Sequence, residues 1–369
     1  MRALTEWLTR LSKITPEVGP LIDHFRVVVS GPTPIDIENW LLSVDPQGSM
    51  AQSAQATGPE SFSILRLPDE PGRPEGLHDR HRLGADLAAI FSLALDRRVV
   101  IPNDFAIQFG QQIHFQSTAQ VVDQTIQGPL PDDAKSLVAT YILAIAGLPP
   151  DDQDCIGAAC TAYHGAILLF DREPRAAYTL LVTGIELLSR RYGSPPTEWQ
   201  DWESSSEWDA FFDIQALSGN QASAFRQRLL SDKHLRLGQT FRTYASTRPR
   251  DSFWDVSVDQ WISGTDQETG VWLAPILASS KKVSDFVGTD RILFRQKLAS
   301  SYQLRSSVVH ESKWIELLTL GQPFVPDQPQ RDALSFPIIR KLLAELLAVE
   351  LFDRASPYCP PDFQLLRQI

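Results

Sequence analysis

Apolar and polar positions follow two rhythms along this chain. Up to about residue 150 the apolar residues come in short β-branched or alternating runs: Phe25-Arg26-Val27-Val28-Val29, Phe62-Ser63-Ile64-Leu65-Arg66-Leu67 and Arg98-Val99-Val100-Ile101. Alternation with a period of two suits a half-buried pleated surface, so these runs predict strands bounded by turn residues. Between them Leu83, Leu87, Ile90, Phe91 and Leu95 fall at helical spacing and predict a helix over 83–95, with Pro102-Asn103-Asp104 closing the unit. The stretch 45–60, rich in Gln, Ser, Ala and Gly, predicts a long mobile loop.

After Pro149-Pro150 the rhythm lengthens. Segments 152–170 and 173–192 predict a helix pair joined by Asp171-Arg172, with Pro174 near the first turn of the second helix, where a missing N–H costs little. Further helices are expected over 221–244, 290–309 and 336–354, with an irregular insert at 247–280 and no internal repeat. The expected fold class is α+β overall: a small N-terminal α/β module at residues 1–150, of unassigned role, then an all-α helical bundle at residues 151–369.

Composition narrows the class without reaching an activity. The 369 residues, 43% hydrophobic and 21% charged, suffice for about two domains with real cores and argue against a long disordered polyampholyte. The longest apolar stretch, 137–148, is too short for a bilayer, which takes about 20 residues. The start, Met1-Arg2-Ala3-Leu4-Thr5-Glu6-Trp7, has an early acid and no apolar centre, unlike a secretory signal. A soluble cytoplasmic protein with no membrane partner is expected. Three cysteines, Cys155, Cys160 and Cys359, cannot build a disulfide framework, and the five-residue step between the first two is not a zinc-ligand spacing. Buried free thiols are expected. The net charge of −11 excludes a generic nucleic-acid-coating protein, so any RNA must meet a local patch.

Several motifs can be set aside. No Gly-rich phosphate loop of either common pattern occurs, and Ser30-Gly31-Pro32 lacks the aspartates with which a nucleotidyltransferase holds metal. His78-Asp79-Arg80-His81 reads as a solvated loop with no third ligand, and His164 as a packed core histidine. No cofactor and no metal are expected. Two charged regions stand out. Arg226, Arg228, Lys233, Arg236, Arg242, Arg248 and Arg250 face one acid, Asp232, over 221–250. Just upstream Glu198, Asp201, Glu203, Glu207, Asp209 and Asp213 are interleaved with Trp199, Trp202 and Trp208. Either the two regions pair with each other, or Arg226, Arg228, Lys233 and Arg236 track an RNA backbone while the acidic segment limits access.

Arg305-Ser306-Ser307-Val308-Val309-His310 carries the sharpest chemistry. A neutral imidazole near its pKa can take the 2′-hydroxyl proton of RNA, and a guanidinium can hold the scissile phosphate as charge builds on it. Arg73/His78 and Arg228/His234 have similar spacings, so spacing alone does not single out this pair. A five-residue step turns about 140° on an ideal helix. The two side chains therefore converge only around a groove or across a dimer interface, where Leu304, Val308, Val309 and Trp314 offer apolar surface.

The context of the pair adds a resemblance. Phe294-Arg295-Gln296-Lys297-Leu298 followed by Tyr302-Gln303-Leu304-Arg305-Ser306-Ser307-Val308-Val309-His310-Glu311 resembles the signature of HEPN domains, closest to the Apea-like group with its Y-x-L-R-S-x-x-V-H run. Residues 176–188, with Glu186, resemble that group's first long helix, and 336–352 its closing apolar helix, so the likeness covers roughly 152–354. It implies an all-α HEPN bundle that forms a homodimer, with Arg and His of both protomers lining one cleft. It also implies a metal-independent endoribonuclease of a toxin–antitoxin, abortive-infection or other anti-phage system, with an antitoxin or defence-system protein as possible partner. Carried over, Arg305 binds the phosphate of the RNA substrate and His310 is the acid/base. Tyr302, Ser306 and Glu186 support them, and Ser306 stands where active members often carry Asn or Asp. The alternative from the same resemblance is a non-catalytic HEPN scaffold that binds a partner protein or RNA.

Overall fold

A computed structural model describes residues 1–11, 21–30, 35–38, 42–50, 60–68, 77–101, 107–109, 112–114, 130, 132–170, 173–262, 276–288, 290–311 and 333–355. The Asp171-Arg172 turn, Pro102-Asn103-Asp104, the Gly31-Pro32 step after Ser30, and Cys359 lie outside the described residues.

Strands β1 (Leu21–Ser30), β2 (Ile37–Glu38), β3 (Ser43–Met50), β4 (Glu60–Pro68) and β5 (Val99–Val100) form one sheet in the order β2-β3-β4-β1-β5. Each neighbouring pair is antiparallel, so this part mixes helix and sheet in the α+β manner. The pleat sends Val27 and Val29, Val44, and Ser63, Leu65 and Leu67 to one buried face. Helix α1 (Arg2–Leu11) packs on α2 (Leu77–Leu95), and α2 closes over the β1–β5 end of the sheet. A Cβ at Gly84 would meet Ile101 at 3.1 Å and the Phe25 ring at 3.3 Å, so the missing side chain there permits the close approach of helix to sheet.

Helices α3 (Ala134–Ala146), α4 (Pro150–Leu169) and α5 (Pro174–Tyr192) follow, with α2 against both α3 and α4 and a long contact between α4 and α5. Then come α6 (Ser205–Ile214), α7 (Gly219–Ser231), α8 (Leu237–Thr247), α9 (Val283–Val287), α10 (Arg291–Glu311) and α11 (Phe336–Arg354). Helix α5 touches α8, α10 and α11. One apolar core runs from Leu4 to Leu351 without a break at residue 150. Asp96, in the left-handed region at φ 50°, ties its two ends: its carboxylate accepts from Tyr163 Oη at 2.9 Å and Lys341 Nζ at 2.6 Å, and from Arg340.

Several local expectations are corrected. Residues 45–50 are strand, not loop, because β4 pairs with them; the break at Pro46/Gly48 absorbs the poor strand formers. The insert at 247–280 contains a hairpin of β8 (Ser257–Ile262) and β9 (Ile276–Lys282). Another small hairpin joins β6 (Ile107–Phe109) to β7 (Gln112–His114). His78-Asp79-Arg80-His81 belongs to the first turns of α2 rather than to a loop. The single helix expected over 221–244 breaks after Ser231, where Asp232 turns extended and its carboxylate caps a short 3₁₀ turn by accepting from the His234 N–H at 2.9 Å. Cys160 is buried and free, its thiol pushed up to about 12 by burial, while Cys155 is free but only half-buried. No described helix is long and apolar enough to cross a membrane.

Candidate functional site

Glu186 sits mid-way along α5, on the face that α10 covers. The approach of the neighbouring helices there is tight: a Cβ at Gly184 would lie 2.7 Å from Leu343 of α11. Its carboxylate is nearly buried, and two guanidiniums converge on it. Arg190, one turn further along α5, reaches Oε1 at 2.5 Å, and Arg305 of α10 reaches Oε2 at 3.2 Å. The Arg305 contact is an ion pair without hydrogen-bond geometry: Glu186 Oε2 and Arg305 Nε are buried with no hydrogen-bond partner.

Tyr302 lies three residues before Arg305 and therefore on the same side of α10. Its ring packs on Phe241 of α8 at 5.0 Å, and burial, with the Glu186 charge nearby, raises its phenol above the ordinary range. Ser306, the next residue along α10, is half-buried. The structure thus brings Tyr302, Arg305 and Glu186 together. His310 stands in the last turn of α10, and its side chain lies outside the described residues. The missed member is Arg190, whose i,i+4 spacing from Glu186 was readable on α5. Arg242 adds a further cation, tied to Glu203, which also takes Arg295 at 2.8 Å.

Two members of the basic run, Arg226 and Arg242, pair with the acidic run, and others turn to different partners. Arg226 pairs with Asp209 at 2.8 Å and lies over the Trp199 and Phe212 rings. Arg236, expected to meet a phosphate, is instead buried at 6% exposure with its guanidinium donating to the Pro196 carbonyl, so its polar end is spent inside the fold. Arg248 pairs with buried Glu350 at 2.7 Å and Arg250 with Glu345 at 2.8 Å. Arg228 is exposed and makes no ion pair among the described residues, and the Lys233 side chain lies outside them. A phosphate-tracking helix needs a row of open cations, and this run keeps one such arginine in view.

His164 donates its Nε2–H to the Val99 carbonyl at 2.9 Å, and burial holds its pKa below the ordinary value, as suits a packed neutral imidazole. No group of three metal-ligating side chains occurs among the described residues. No protein-family model matches the chain, and no curated protein or solved structure does either.

Proposed function

We propose that this protein is a metal-independent endoribonuclease of the HEPN type that cleaves single-stranded RNA, serving a defence or toxin system. The observation that carries this reading is the convergence of Arg305 and Arg190 on the single carboxylate of Glu186. Two guanidiniums against one carboxylate leave a net positive charge, and Arg190 is about half exposed, so an anion can reach it. A phosphodiester would be held by Arg305, which Glu186 orients, as negative charge grows on the non-bridging oxygens. The His310 imidazole takes the 2′-hydroxyl proton, the 2′-oxygen attacks phosphorus, the bond from phosphorus to the 5′-oxygen breaks, and the leaving 5′-oxygen takes a proton from an imidazolium or from water. The products are a 2′,3′-cyclic phosphate and a 5′-hydroxyl.

Incubating the purified protein with RNA in excess EDTA, wild type beside His310→Ala, tests this. Cleavage should persist in EDTA and fall by about 10²–10⁴ in the variant. Equal cleavage by both proteins, or none together with no toxicity on expression, contradicts it. The second reading, a non-catalytic scaffold, is favoured by one feature: the Arg305–Glu186 pair lies mostly buried, where it can serve as a helix clamp alone. Under that reading Arg305→Ala lowers stability and no RNA is cut.

A further inference from the structure

We propose that Arg242 of α8 and Arg295 of α10 form a second phosphate subsite for single-stranded RNA, beside Arg305, which the Glu203 carboxylate fills until a strand displaces it. The inference rests on the ribonuclease reading for its choice of ligand. Both arginines pair with Glu203, which stands just before α6. Arg295 lies two turns before Tyr302 on the same side of α10, and Phe241, the residue before Arg242, carries the Tyr302 ring at 5.0 Å. Tyr302 itself is within range of the Glu186, Arg305, Arg190 and Arg242 charges. The seam between α5, α8 and α10 thus holds four guanidiniums against two carboxylates, a local charge of +2 in a chain of net −11. From Arg295 to Arg305 it runs about 15 Å along the helix, enough for more than one phosphate of a strand.

Two features mark the Glu203 side chain as an occupant rather than a strut. The backbone around it is tied to α8 without the carboxylate: the Glu203 N–H donates to Gln239 Oε1 at 3.0 Å, and Gln239 Nε2 donates to the Asp201 carbonyl at 2.6 Å. Arg295 is also held without it, because its guanidinium donates to Thr243 Oγ1 at 2.7 Å, on the residue after Arg242. Two planar donor forks therefore stand preset around one carboxylate, as they would around the non-bridging oxygens of a phosphodiester. Glu203 and Arg295 are each about two-fifths exposed, and ion pairs so open to water are weak, so exchanging one anion for another costs little.

A fluorescent 2′-O-methyl oligouridylate, which has no 2′-hydroxyl to attack its own backbone, separates binding from cleavage. In anisotropy titrations of the full chain at low salt, Glu203→Gln should bind it at least about threefold more tightly than wild type, because the subsite is emptied while the Gln239 bonds remain. Arg242→Gln and Arg295→Gln should each weaken binding by about threefold to tenfold and flatten the slope of log affinity against log salt by about 0.7. The gain from Glu203→Gln should vanish when both arginines are replaced, which a general charge effect would not do. Circular dichroism checks that each variant folds. A folded Glu203→Gln that binds no more tightly than wild type overturns the proposal, as does a gain that survives the loss of both arginines. Polyglutamate that binds Glu203→Gln as tightly as the strand assigns the subsite to acidic protein and overturns it too. Binding that follows Glu203 and the two arginines in a chain that cuts no RNA supports the subsite and counts against the catalytic step alone.

Discussion

Two carboxylates, Asp96 partly exposed and Glu350 fully buried, hold ion-pair clusters together at residue scale, and each makes a prediction. At Asp96 burial alone would raise the carboxyl pKa, but the Arg340 and Lys341 charges outweigh it and hold the group well below the usual carboxylate range. A depressed folded pKa stabilises above the unfolded value of about 4 and loses that stability as pH falls below it. The Asp96 side chain is 36% exposed, so solvent screens the cluster, and Asp96→Asn should cost about 1–2 kcal/mol at neutral pH. The difference from wild type should shrink below about pH 4, as followed by urea unfolding across pH. A constant difference down to pH 2 would speak against the ionised hub. Glu350 is fully buried and accepts from Tyr244 Oη at 2.8 Å, Arg248 at 2.7 Å and Arg354 at 2.7 Å. Glu350→Ala removes the acceptor that all three share, and should destabilise by about 2–3 kcal/mol in the same assay, whereas Asp353→Ala, at the exposed end of the Arg248 pair, should change little.

Packing between α5 and α11 predicts a further effect at element scale. Gly184→Ala puts a methyl 2.7 Å from Leu343 Cδ2, so Leu343 must shift within a filled core, at about 1–3 kcal/mol in thermal or denaturant unfolding. A variant as stable as wild type would mean that the two helices are more loosely packed than described. Part of the helical pattern was legible: the periodicity of 83–95 lies within α2, and Pro174 falls in the first turn of α5, where proline is tolerated. The strands at Ser43–Met50 and Ile276–Lys282 were not, because pairing with β4 and β8 overrides the poor local propensity of Pro46, Gly48, Ser279 and Ser280. Part of the candidate site was legible. Tyr302 and Arg305 share a helix face, and Glu186 was placed beside them by resemblance; the burial of Arg236 was not, since its partner, the Pro196 carbonyl, carries no side-chain signature. Nor does anything in the chain around Asp96 announce Arg340, 244 positions away.

For the molecule as a whole, the unbroken core from Leu4 to Leu351 means that the stranded part and the helical part protect each other. A fragment of residues 151–369 should therefore aggregate or bind a hydrophobic dye, since Ile156, Tyr163 and Ile167 of α4 lose part of the core they share with α1 and α2. A soluble, fully helical fragment with a sharp melting transition contradicts that. Under the proposed ribonuclease function this scaffold serves the chemistry by holding α5 and α10 together so that Glu186 presents Arg305 to a phosphodiester. Single-turnover RNA cleavage by Arg305→Ala and Arg305→Lys, on protein whose fold is checked by circular dichroism, tests it most directly. Both variants should lose at least about tenfold in rate, Arg305→Ala the more, because a lysine keeps the charge but not the two-pronged hold. A folded Arg305→Ala that cuts RNA at the wild-type rate would contradict it.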